Sequence, residues 1–534
     1  MKKRAVGIFA ALCLLIAPRV RAQEEQHHHH DDGEQLGSVT FPTSCSPDVQ
    51  KSFETAVAWM HSFQYKQASD GFDEVALKDK HCAMARWGQA IVIWHQLWDE
   101  PDANKIKSGR KFIHEAQKIG AKTDREQKFI GAVALFYAKG KKLDYRTRAQ
   151  NYSDAMGRLY AQYPDDSEAA AFYALSLLSF SPLENKDFAN RRKAIPILDK
   201  LFAEHPDHPG AAHYLIHAAD RPQLAAMGLN AARRYAQIAP SSSHALHMPS
   251  HIFSRLGLWQ DSINSNLAAA VAADKSTRAG TGDPSYEFHA MDYLQYAYLQ
   301  SGREKDAWHV IEELDAVPGA TAERKTEKRT LFTGRYYFEL HQWNEAAKLP
   351  IPEGGSREAK ASAYRTRAIG AARSGYVAEA KKNLDKLNEP VATGGYSDDD
   401  DSFSWVERQE VIGWVAFAEG KKDEAVKALR AAADREDLRA PETGDMPARE
   451  MLADMLLEMN QAGDALVEYE ALLKESPNRF DGLYGAARAA EMAGKGQQAS
   501  SYYSQLLKVC DGGVNSTRPE LARAKTLAVN AQGH

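Results

Sequence analysis

The chain has 534 residues, 44% hydrophobic and 26% charged, with 67 basic against 72 acidic side chains and a formal net charge of −5. A balance on the acidic side excludes the basic surface that nucleic acid requires. A chain this long also exceeds the usual reach of one compact core, which points to several domains or an array. The first element is Lys2-Lys3-Arg4, an apolar run from Ala5 to Ala17, and Val20-Arg21-Ala22 ahead of Gln23. That is the anatomy of a secretory signal peptide, and its apolar run is too short for a spanning helix. Cys13 follows Leu12, not a small residue, which speaks against a lipoprotein cleavage site. Loss of residues 1–22 removes five cations and no acid, taking the charge to −10. No later segment reaches the roughly 18 apolar residues of a membrane span. The expectation is a protein exported to the bacterial periplasm or beyond.

Residues 23–46 form a polar segment carrying the run His27 to His30, and its stretch from Gln23 to Thr40 reads as disordered. The histidine run can capture metal loosely or serve as a solvated tail. After the signal peptide three cysteines remain, Cys45, Cys82 and Cys510. In an oxidising compartment Cys45 and Cys82 can pair, leaving Cys510 free.

Helix-pair repeats are expected from about residue 47 to about 510. Successive parts are 47–204, a histidine-rich 205–315, a divergent 316–440 and a C-terminal pair at 441–510, followed by a tail at 511–534. Ala465 and Ala499 are 34 residues apart, as are Tyr469 and Tyr503, and Leu472 and Leu506, with Pro477 between the units. A 34-residue period with small residues at the helix crossing resembles the tetratricopeptide repeat. Each such unit is two antiparallel helices, and stacking buries a continuous core. Gly257, Gly302 and Gly420 each precede a small residue and mark the turn between the two helices. The fold expected is therefore an all-α solenoid with a concave groove. Loops are expected at Ser276–Pro284 and Gly394–Ser404. The second carries Asp398 to Asp401 and lacks the alternating ligands of a calcium loop.

Histidines concentrate in the central repeats. His213 and His247 are 34 residues apart, as are His217 and His251, so each pair takes the same position on successive units. With units starting near 209, 243 and 288, the second position holds His244 and His289. The fifth holds His213, His247 and Asp292, and the ninth His217, His251 and Tyr296. In tetratricopeptide-repeat proteins these positions face the groove, so the resemblance implies side chains that point inward. Residues i and i+4 share a helix face in any case. Neutral imidazole is the commonest metal ligand and a carboxylate completes many sites. His213, His217, His247, His251, His289 and Asp292 are thus candidate ligands for zinc, copper, iron or nickel. Asp220, Tyr214 and Tyr293 can orient them, with His244 and Tyr296 as further groove residues. A second pair at the same spacing, His61 and His95, lies among Trp59, Trp87, Trp94 and Trp98 and reads as aromatic packing.

Two stretches resemble a group of secreted bacterial tetratricopeptide-repeat proteins. One is Phe41-Pro42-Thr43-Ser44-Cys45 with His81-Cys82-Ala83-Met84-Ala85-Arg86-Trp87-Gly88. The other is Gly210-Ala211-Ala212-His213-Tyr214-Leu215-Ile216-His217 with His247-Met248-Pro249-Ser250-His251-Ile252. The resemblance implies fold and export and identifies no substrate. His213 to His217 lacks the glutamate of the zinc-protease helix, and no nucleophile elbow, phosphate loop or dinucleotide fingerprint occurs. Three readings stay open. The groove holds a metal or a metal-bearing ligand; it holds a peptide or cell-envelope partner without metal; or the histidines form a structural network. An enzyme would use a metal with an open position, with Asp292 or Glu287 as base.

Overall fold

The turn between the helices of a repeat needs one residue with positive φ, and the chain supplies it in a recurring way. Gly257, Gly302, Gly375, Gly420 and Gly494 occupy this position, with φ between 64° and 81°. In each case the glycine N–H bonds three residues back and the next N–H bonds five back, as Gly302 to Leu299 and Arg303 to Tyr298. This double bond satisfies the last carbonyls of the first helix and reverses the chain. Phe63, His341 and Asn460 take the same place with φ of 53°, 53° and 60°. Asparagine tolerates that conformation, whereas a bulky aromatic there is strained.

The computed structural model describes residues 33–98, 100–140, 143–179, 187–392, 403–439, 444–514 and 516–530. They are helices and connecting turns with no strand among them. The helices run from Pro47–His61 to Pro519–Asn530, each packing on the next to give an all-α array of antiparallel pairs. The 34-residue marks of the C-terminal pair are all core: Ala465, Ala499, Tyr469, Tyr503, Leu472 and Leu506 are buried. The chain from Gln35 onward is one contact unit. No described helix is long and apolar enough to cross a membrane. The signal-peptide segment, His27 to His30 and the acidic run Asp398 to Asp401 lie outside the described residues.

Two expectations are corrected. The stretch up to Thr40 is not solvated throughout, because from Gln35 it lies along the repeats. Ser38 N–H bonds the Asp207 carbonyl at 2.9 Å, and Leu36 and Phe41 are buried. Phe41 packs edge-on to Phe53 and Trp87, and Cys45 is joined to Cys82 by a disulfide. Nor is 511–534 simply a tail: helix Pro519–Asn530 docks on Gly496–Val509, and Arg518 pairs with Asp481 at 2.7 Å.

The array also folds back on itself. Trp259 Nε1 donates to the Asn478 carbonyl at 2.8 Å, and a Cβ at Gly257 would lie 2.2 Å from the Pro477 carbonyl oxygen. Arg479, fully buried, bonds Glu450 at 2.7 Å, Glu339 at 2.8 Å and the Tyr296 hydroxyl at 3.1 Å. The C-terminal pair is thereby fastened against the central repeats.

Candidate functional site

Three first-of-pair helices supply the central histidines. Pro209–Ala219 begins with Pro209 after His208, whose ring nitrogen caps Ala211 N–H at 3.1 Å. The next unit begins where Ser242 caps Ala245, and Pro249 divides it into Ser243–His247 and Pro249–Arg255. The third helix is Pro284–Gln300, capped by Asp283. The first two starts match the sequence alignment, while the third lies four residues before the expected 288.

The histidines are enclosed. His213 is 0% exposed, His247 2%, and His244 and His251 4% each. Phe63 lies across them, its ring centroid 4.4 Å from His213, 5.5 Å from His217 and 5.8 Å from His244. Trp98 and Tyr286 flank His244 at 5.5 and 6.0 Å, and the Tyr286 hydroxyl donates to the Phe63 carbonyl at 2.7 Å. At this point the groove is filled by aromatic side chains of the first helix pair and of the third unit. The strained backbone at Phe63 is what places its ring there.

Two triads can be drawn from these rings, His213, His217 and His244, and His247, His251 and His289. Within each triad one nitrogen per ring lies within 4.8 Å of the others. The hydrogen bonds fix which nitrogen is bare. Asn266 Nδ2 donates to the Ser262 carbonyl at 2.8 Å, so its Oδ1 is the atom that faces His247 Nδ1 at 2.7 Å. His247 therefore carries its proton on Nδ1 and leaves Nε2 with a lone pair. His251 Nδ1 donates to the Asp220 carboxylate at 3.0 Å, and Arg255 holds the other Asp220 oxygen at 2.8 Å. His247 Nε2 and His251 Nε2 face each other at hydrogen-bond distance, 3.0 Å. In the other triad His213 Nδ1 donates to the His61 carbonyl at 2.6 Å, so its Nε2 is bare and lies 3.2 Å from His244 Nε2. His217 Nε2 is buried and has no hydrogen-bond partner.

Burial sets the charge state. It lowers His213 to about 3 against the smaller pull of its bond to the His61 carbonyl, and it lowers His217, His244 and His247 well below the usual value, helped by neighbouring histidines. Burial would raise Asp220, but Arg255 and the bond from His251 outweigh it and hold the carboxyl well below the usual range. His213, His217, His244 and His247 are thus held as neutral imidazoles, with the Asp220 anion behind His251.

Not every sequence candidate arrives. Asp292 is drawn to the opposite side, where Arg335 holds its carboxylate at 2.5 Å and Lys328 stands at 4.0 Å. Tyr296 serves Arg479, and Tyr214 sits beside His213 with its hydroxyl 2.9 Å from His61 Nδ1. Tyr293 does reach the centre, its hydroxyl 3.2 Å from His251 Nδ1. Glu287 interacts with Asp274 and Arg278, and burial raises it to about 7. His61 and His95 have separate surroundings. His95 stacks on Tyr65 at 4.1 Å, whereas His61 Nε2 bonds Glu168 at 2.8 Å and His208 Nε2 bonds the other Glu168 oxygen at 3.0 Å. In that group His208 Nδ1 accepts Ala211 N–H and His61 Nδ1 faces Tyr214, so its ring nitrogens are all used in hydrogen bonds.

Phe63, Asn266, Glu168 and His208 escaped the sequence reading. Asn266 had one signal, an amide in register with Trp259, Ile263, Ala269 and Ala273 on the buried face of the helix that follows Pro249–Arg255. Phe63 had another, an aromatic where other units place glycine.

No protein-family model and no curated protein matches this chain. Among solved structures, a tetratricopeptide repeat protein from Parabacteroides merdae is 13% identical with a TM-score of 0.32, covering 55% of this chain and 100% of that one. The human IFIT1 dimer with PPP-AAAA is 13% identical with a TM-score of 0.38, covering 80% and 90%. The P58(IPK) TPR domain is 12% identical with a TM-score of 0.20, covering 91% and 100%. At such identities and scores the likeness carries nothing about ligands.

Proposed function

We propose that this chain is an exported binding protein that holds a transition metal ion within its helical repeats through the central histidines. The observation that carries this is the convergence of His247, His251 and His289, with one nitrogen of each ring within 4.8 Å of the others and the first two rings oriented from behind by Asn266 and Asp220. A histidine ligand whose other N–H is given to a carboxylate or amide is the usual second layer of a metal site. His289, 4.3 Å from His247 by ring centroid, supplies a third nitrogen. Three protein ligands leave a coordination position for water or an outside ligand. Export is supported by the sequence of residues 1–22 and by the Cys45–Cys82 disulfide, which belongs to an oxidising compartment.

The test is elemental analysis of protein purified without an affinity tag and lacking residues 27–30. Metal retained through dialysis, and lost on His247→Ala with His251→Ala while the helical circular dichroism stays, is the expected result. No metal after reconstitution with zinc, copper, nickel or iron sinks the reading. N-terminal sequencing of the periplasmic product is expected to begin at Gln23.

A further inference from the structure

We infer that the chain takes a second metal ion, in the triad His213, His217 and His244, beside the first in His247, His251 and His289, with copper the ion both select. This rests on the metal-binding reading above and extends it. The second triad is built as the first is. His213 is fixed by a backbone acceptor, the His61 carbonyl at 2.6 Å, which leaves its Nε2 bare and aimed at His244 Nε2 3.2 Å away. His217 Nε2 is buried with no hydrogen-bond partner, a cost that folding tolerates where a ligand supplies the missing bond. The triads are neighbours: His217 and His251 have ring centroids 6.3 Å apart, and His244 and His247 6.2 Å.

The donor set chooses the metal. Six imidazoles and no carboxylate or thiolate make up the two triads, and Asp220 is occupied behind His251. Oxygen-seeking magnesium, calcium and manganese find no ligand of their kind here, and among metals that accept imidazole copper binds most tightly. In the group of His61, Glu168 and His208 every ring nitrogen is hydrogen-bonded, whereas His217 Nε2 is not.

The experiment uses the full mature chain, stripped of metal and reconstituted with copper(II) alone, then with equimolar copper and zinc, and dialysed before elemental analysis. About two copper ions per chain are expected, falling to about one in His217→Gln and about one in His289→Gln, with copper retained over zinc. Thermal melts by circular dichroism confirm that both variants fold, and His217→Gln keeps a polar group at a position that is not fully enclosed. One ion per chain, kept in His217→Gln and lost in His289→Gln, overturns the second site while sparing the first. Two ions that both survive His217→Gln also overturn it, as does zinc held in preference to copper. Absence of any ion in the wild type overturns this inference and the reading beneath it together.

Discussion

Asn266 touches no ligand directly, yet it decides what His247 offers. Its amide is oriented by the Ser262 carbonyl, and that orientation forces the His247 proton onto Nδ1. Asn266→Ala frees the ring to turn or change tautomer, so metal affinity measured by chelator competition is expected to fall about 10–100-fold with helix content unchanged. The histidines themselves make stability depend on pH in the metal-free protein. His213, His217, His244 and His247 are held below the ordinary value when folded, so they stay neutral while the unfolded chain takes up protons near pH 6.5. A lowered folded pKa means stability that is present above pH 6.5 and lost as the pH falls toward 3. By pH 5 His213, held at about 3, costs about 2 kcal/mol, and the other three add to that loss. The urea midpoint of the apo protein is therefore expected to drop steeply between pH 7 and 5, and a flat profile would show that these rings are not buried as neutral groups. At this scale the sequence disclosed a good deal. Register alone placed His213, His217, His247 and His251 on one side of successive helices. It misplaced Asp292, because the partner that captures it, Arg335, lies on a helix that shares no motif with the histidine repeats.

Among the elements, the turns carry the clearest contrast. Gly375 and Gly257 both have positive φ, at 81° and 64°. Nothing lies within 4 Å of a Cβ at Gly375, so Gly375→Ala meets only the backbone cost of about 1–2 kcal/mol. At Gly257 a Cβ meets the Pro477 carbonyl at 2.2 Å, a backbone atom that cannot move without moving the C-terminal pair. Gly257→Ala is expected to cost more than twice as much in urea denaturation. Equal losses for the two variants would mean that the contact at Pro477 yields freely. These glycines were visible in the sequence as turn markers, since a turn is a local event. What Gly257 abuts was not, because Pro477 is more than two hundred residues away and no periodicity links them.

For the whole molecule the fastening at Arg479 matters most. Its guanidinium is fully buried between Glu339 and Glu450 and touches Tyr296, joining three parts of the chain. Arg479→Ala leaves two carboxylates without their cation and is expected to cost about 3–5 kcal/mol. Limited proteolysis should then cut first between the central repeats and the C-terminal pair. A cleavage pattern like that of the wild type would assign the fastening to the apolar contacts instead. The helix-pair period is legible in the spacing, but this closure is not, because it depends on single side chains meeting across the array.

The placement of Phe63 over the histidines bears on the order in which the molecule is made. Repeat arrays can begin folding anywhere, since most of their contacts are between neighbours. Phe63 belongs to the first helix pair, yet the rings it covers begin at His213, and the tyrosine that bonds its carbonyl is 223 residues further on. During synthesis the first pair must wait for more than two hundred further residues before it can close over the centre. An ion reaching the histidines before that moment meets them from open solvent, and one arriving later must pass the ring. On the proposed metal-binding reading, loading is tied to the age of the chain: a protein still folding is expected to fill quickly, and a finished one to exchange slowly.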